Sequence, residues 1–179
     1  MPTILTIALL ALTQPAADAV SVTVEGKVRE VSNRGTTQAM LETDDKKGLS
    51  LTSAIPGLSN ELRRLSGVRI RVQGTRSSKT APDGEPVSVT GYEILDVGKG
   101  VVPRVGTIAA IELDGKRRLI FVDSSGAAEM LPTGWVKRMA GHVGAKVWMV
   151  GRTADKVFRP SRFSILRPGQ KAKNPEQKQ

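Results

Sequence analysis

The sequence predicts a mainly β chain of two consecutive small five-stranded barrels, each with a short helix between its third and fourth strands. Three observations carry this. Apolar and polar residues alternate at the two-residue period of half-buried strands, as in Val20, Val22 and Val24 against Ser21, Thr23 and Glu25. The chain holds only 2 Trp, 1 Tyr and 3 Phe in 179 residues. Its cores must therefore be filled by Val, Ile, Leu, Met and Ala, which suits short strands. Finally, the chain repeats itself. The stretch GVRIRVQGT beginning at Gly67 aligns with GAKVWMVGR beginning at Gly144, glycine on glycine, with alternating apolar positions between them.

Taken in order, residues 1–19 read MPTILTIALLALTQPAADA, an apolar run followed by Pro15 and by Ala17, Asp18 and Ala19. This is the pattern of a cleaved secretory signal, too short to span a bilayer. It lacks a basic start, so a retained anchor stays open. Cleavage predicts a periplasmic or secreted protein with no transmembrane span. The first strand follows with Gly26 inside it, and Gly106 takes the same place in the second copy. The polar, Gly-ended stretches at Asp44 to Gly48 and Asp123 to Gly126 read as hairpin connections. A helix is expected to start at Ser59, Asn60 and Glu61, to use Leu62 and Leu65, and to stop at Gly67. Its counterpart presents Trp135, Val136 and Met139 and stops at Gly141 or Gly144. Tyr92 and Ile94 in the last strand of copy one match Phe163 and Ile165 in copy two.

A helix between strands three and four of a five-stranded unit of about 70 residues is the plan of the OB-fold, a partly open Greek-key barrel. Each half resembles an OB domain in layout and glycine placement. The resemblance covers residues 20–168 and is closest to exported bacterial OB-fold (BOF-like) domains. It implies a binding or envelope-associated protein rather than a catalyst. The expected organisation is a signal peptide at 1–19, a first OB-like domain at 20–97, a linker at 98–103, a second OB-like domain at 104–168, and a basic tail at 169–179 that stays disordered until it meets a partner.

Composition closes several chemistries. With 1 His and no Cys, the chain offers no thiol nucleophile, disulfide or multi-histidine metal site. No P-loop or G-x-G-x-x-G motif opens a helix, and nothing stands at triad spacing from His142. Asp44 and Asp45 lack the alternating ligands of a calcium loop and run straight into Lys46 and Lys47. Neither catalytic residues nor a cofactor or metal are expected.

Charge is the remaining signal. Residues 20–97 carry 11 basic and 10 acidic groups, whereas residues 98–168 carry 13 and 5. That asymmetry points to an anionic partner for the second unit. OB ligands usually lie between the loop joining strands 1 and 2 and the loop joining strands 4 and 5. In the second unit the first of these loops carries Lys116, Arg117 and Arg118, and the other carries Lys156 and Arg159, flanked by Arg152 and Arg162. The fold is expected to bring them together at one rim, although loop tips also carry Lys and Arg simply for solubility. Trp148 stands where copy one has Arg71, so it either packs on the other unit or the tail, or forms an aromatic platform beside Lys146. These nine residues are the expected ligand-binding set. The expected partner is a protein or an anionic envelope polymer or lipid headgroup. The alternative is a single-stranded nucleic acid, for which Trp148, Phe158 and Phe163 are the available stacking rings.

Overall fold

The computed structural model describes residues 19–33, 35–77 and 86–169. Nearly all of the expected signal and of the basic tail lies outside the described residues.

The chain forms two closed five-stranded barrels. The first comprises β1 (Ala19–Asn33), β2 (Thr36–Glu42), β3 (Gly48–Thr52), α1 (Leu58–Arg64), β4 (Arg69–Ser77) and β5 (Val87–Asp96). The second comprises β6 (Arg104–Leu113), β7 (Lys116–Asp123), β8 (Ala128–Met130), α2 (Thr133–Met139), a short 3-10 turn (Ala140–His142), β9 (Lys146–Ala154) and β10 (Val157–Arg167). Strand order is β1-β2-β3-β5-β4 in one ring and, running the other way, β10-β8-β7-β6-β9 in the other. Each barrel closes through one parallel pair, Leu51 with Val87 and Met130 with Val157, and all other pairings are antiparallel. The mainly β class, the two barrels and the helix between third and fourth strands are as the sequence predicts.

The repeat has a common physical cause. β1 pairs with β4 from Ala19 to Lys27 and with β2 from Lys27 to Asn33, so one strand serves both sides of the barrel by changing partner next to Gly26. At that bend the neighbouring backbone closes in. A Cβ on Gly26 would strike the carbonyl of Glu42, and one on Gly106 the carbonyl of Val122 and the ring of Phe121. The aligned glycines of the fourth strands, Gly74 and Gly151, would likewise meet the carbonyls of Ser88 and Arg159.

The cores are aliphatic, as the shortage of rings requires. Val28, Leu41, Leu62, Ile70 and Val72 fill the first barrel, and Ile108, Leu119, Val147 and Met149 the second. The second adds Phe121 and Phe158, stacked with centroids 5.4 Å apart. Arg104 lies over both rings, at 5.3 and 4.9 Å from their centroids, and bonds to Asp123, Glu129 and Thr153. It covers the two rings with a charge that is itself paired.

Residues 97–103 join the barrels, and a polar and apolar contact holds them side by side. α1 begins one residue earlier than expected, at Leu58, and turns Glu61 inward, where it is 2% exposed. Glu61 receives hydrogen bonds from Tyr92 Oη and from Lys146 Nζ, each at 2.7 Å, and Arg167 Nε lies 3.4 Å from its other oxygen. Beside this network Trp148 and Leu166 of the second barrel are buried in the core cluster of the first.

Candidate functional site

Barrel-forming strands expose alternate residues, so the outer faces of the two copies can be compared position by position. In the first barrel the outward charges of β1, β4 and β5 near Arg69 and Arg71 neutralise one another. Arg71 bridges Glu25 and Glu93 at 2.7 Å each, across three adjacent strands. Arg69 is bidentate on Asp44 at 2.7 and 2.8 Å, and Arg29 pairs with Glu42. These pairs hold Asp44 below the usual carboxylate range, chiefly through the hydrogen bond from Arg69.

At the aligned positions of the second barrel, Lys146, Trp148 and Val150 replace Arg69, Arg71 and Gln73. They face the first barrel rather than solvent. Lys146 bonds to Glu61 and lies 4.9 Å from the centroid of Tyr92, and Trp148 is 7% exposed. The expectation that Lys146 and Trp148 belong to a ligand face is corrected: both are engaged in joining the barrels, and the packing alternative for Trp148 holds. The indole Nε1 is buried there without a hydrogen-bond partner.

The other seven expected residues fall into two groups. β6 and β9 are antiparallel, paired from Arg104 with Met149 to Thr107 with Lys146. The β6–β7 tip and the β9–β10 tip therefore leave that ladder at opposite ends. The expectation that the fold gathers both basic loops at one rim finds no support in this register.

The β9–β10 group is Arg152, Lys156, Arg159 and Arg162. Arg152 and Arg159 are directly opposed across the two strands, both exposed. Like charges in that position repel, and among the described residues no carboxylate forms an ion pair with either. Arg162 follows on the same ribbon, 5.7 Å above the Trp148 ring, and its charge helps hold the Asp96 carboxyl low, after the backbone amide of Gly98. The turn adds a further signal. Asp155 and Lys156 have φ of 53° and 60°, the left-handed conformation of a tight hairpin turn, in which glycine is the better second residue. The β6–β7 turn uses glycine there, Gly115 with φ of 65°, whereas the β9–β10 turn keeps a strained lysine.

The β6–β7 group is Lys116, Arg117 and Arg118. Arg117 stands opposite Glu112. Arg118 is half-buried and donates to Thr133 Oγ1 at 2.9 Å. Lys116 is exposed.

An open cleft of about 460 Å³ lies where the barrels meet, lined by Tyr92, Ile94, Val102, Arg104, Asp123 and Lys146. Its charges are already paired, Arg104 with Asp123 and Lys146 with Glu61. Asp123 is pulled down to about 2, first by the hydrogen bond from Ser125 and then by Arg104, against a desolvation effect that raises it. Burial, and then the Glu61 carboxylate, push the Tyr92 phenol well above its ordinary value. The charged groups of the cleft are thus engaged in structural pairs, Glu93 with Arg71 among them. Phe158 is 1% exposed, and Phe163 packs edge-on against Trp135 at 5.3 Å.

The sequence matches no protein-family model, and no curated protein is significantly similar to it. Geometry and charge therefore carry the functional reading. Glu61 and Arg104 were not singled out from the sequence, because their partners lie 85 and 25 residues away along the chain.

Proposed function

We propose that this protein is a non-catalytic, exported binding or scaffold module of the bacterial envelope whose second barrel engages an anionic partner along the β9–β10 ribbon. The opposition of Arg152 and Arg159 is the observation that carries it. Two exposed guanidinium groups set across from each other, without a carboxylate, leave a site whose charge a bound anion would balance. Arg162 and the strained Lys156 extend the same ribbon. The first barrel, whose β1, β4 and β5 face pairs its charges internally, serves as the support, docked through Glu61 and Trp148. The resemblance to exported OB-like domains and the signal pattern at 1–19 support the envelope setting. The single-stranded nucleic-acid alternative is less supported, since the rings it needs, Trp148, Phe158 and Phe163, are packed in cores or against other rings.

The test is binding of the purified protein to polyphosphate and to dextran sulfate by titration calorimetry at low and moderate salt. Binding should weaken with salt and fall about tenfold in Arg152→Glu/Arg159→Glu. Replacing Lys156 by Gly should weaken it less while stabilising the fold by about 1 kcal/mol through relief of the left-handed backbone. Unaltered affinity in the double charge reversal would remove the ribbon from the account.

A further inference from the structure

The two copies place the same hairpin in the same register, which gives the second an internal control. In the first barrel the β1–β2 arm pairs Val31 with Gln38, Ser32 with Thr37 and Asn33 with Thr36. In the second the β6–β7 arm pairs Ile111 with Arg118, Glu112 with Arg117 and Leu113 with Lys116. These paired positions are thus filled in copy one by uncharged residues. Arg118 of copy two reaches Thr133, whereas among the described residues Leu113, Lys116 and Arg117 make no side-chain hydrogen bond or ion pair that would account for the change.

The second arm projects. β6 leaves β9 after Thr107, and β7 meets β8 only from Ile120 to Val122, with the Leu119 carbonyl still bonded to Leu131 N, so the pairs from Ile111 with Arg118 outward form a two-stranded ribbon with no further strand partner. On one face of that ribbon stand Ile111 and Leu113, 36% and 43% exposed, among the few large apolar side chains the described residues leave in water. Lys116 sits directly across from Leu113 and Arg118 across from Ile111 on the same face, while Arg117 and its partner Glu112 stand on the other. Edge charges alone serve solubility. Two outward aliphatic side chains at the tip work against it.

We propose that the tip of the β6–β7 arm is a membrane-docking surface that seats Ile111 and Leu113 at the headgroup boundary of an anionic lipid bilayer, with Lys116, on the same face, on the lipid phosphates. Residues 111–118 carry three cations against the carboxylates of Glu112 and Asp114, a net positive tip that matches a negative surface. The aliphatic stems of the cations lie along the apolar layer while their heads stay at its polar edge. A soluble polyanion would make no use of Ile111 and Leu113, which separates this surface from the β9–β10 ribbon. The proposal does not rest on the ribbon reading.

The experiment is co-sedimentation of the full chain with vesicles of phosphatidylcholine, with and without phosphatidylglycerol, run beside polyphosphate binding. Wild type should bind the anionic vesicles only. The arm variant Leu113→Asn/Lys116→Thr/Arg117→Thr/Arg118→Gln, which adopts the first copy's residues, should lose about tenfold or more in vesicle affinity and keep polyphosphate binding. Ile111→Ser/Leu113→Ser, which changes only exposed side chains, should show the same loss. Because the chain has no cysteine, Leu113→Cys takes a single environment-sensitive fluorophore, whose emission should shift to the blue on anionic vesicles. The inference is overturned if wild type binds no vesicle, if both arm variants bind like wild type, or if the fluorophore stays in water while Arg152→Glu/Arg159→Glu abolishes vesicle binding. The last outcome would leave the ribbon reading standing. A blue shift with an envelope protein but not with lipid would also overturn it.

Discussion

Lys146 Nζ lies 2.7 Å from Glu61 Oε2, and Tyr92 Oη donates to that same oxygen at 2.7 Å. One carboxylate in the helix of the first barrel thus gathers the last strand of its own barrel and the fourth strand of the next. A buried charge is tolerated only when such partners satisfy it.

Glu61→Ala should therefore destabilise the protein by about 3 kcal/mol, since it strands Lys146 and the Tyr92 hydroxyl near the interface. Urea unfolding measures this, and a loss below about 0.5 kcal/mol would show that the network contributes little. Tyr92 is the only tyrosine, so ultraviolet titration reads it alone. Its raised value keeps the phenol protonated through pH 10 in the native protein, and the Glu61→Ala variant should ionise nearer the ordinary range.

Trp148 fills the first barrel's core from the second barrel, so Trp148→Ala should cost about 3–5 kcal/mol at that contact. Calorimetry should show the barrels unfolding together in the wild type and in two separate steps in the variant. A single cooperative transition in the variant would mean that the polar network alone couples them.

Gly106→Ala should destabilise strongly, by about 2 kcal/mol or more, because its Cβ has the Val122 carbonyl in its way. Gly134→Ala is the control. It lies in α2 with nothing within 4 Å of an added Cβ, and alanine there should stabilise by about 0.5 kcal/mol. Thermal melts of the two variants should move in opposite directions.

Acid should weaken the second barrel through Asp123. Its folded-state value, about 2, lies below its ordinary 3.8, so its contribution is complete above about pH 4 and is lost as pH falls toward 2. Asp123→Asn keeps an acceptor for the turn amides of Ser125 and Ala127 but surrenders the ion pair with Arg104. Denaturant midpoints of the variant should be lower than wild type at pH 6 and fall less steeply between pH 4 and 2.

The sites most legible in the sequence were those with short-range causes. Gly26 and Gly106 mark the strand bend because only a residue without Cβ allows the neighbouring carbonyl so close. Asp44 to Gly48 and Asp123 to Gly126 read as turns because turn chemistry is local. The candidate site was legible only in part. Arg152 and Arg159 stood out as basic, but their direct opposition depends on the chain turning at Asp155 and Lys156, which puts both in paired strands. Arg118 looked as free as Lys116, yet it reaches Thr133. Ile111 and Leu113 followed a normal strand alternation, and only the point where β6 parts from β9 leaves them in water.

By itself the sequence determined that this protein is two copies of one small barrel, with aliphatic cores and an excess of positive charge in the second. Alternation, glycine placement and composition are properties of neighbouring residues. Tertiary structure alone decided which charges are free. A carboxylate quenches a cation only within a few ångströms, and the folding of distant strands set Glu25 and Glu93 beside Arg71, buried Glu61 against Lys146, and left Arg152 facing Arg159.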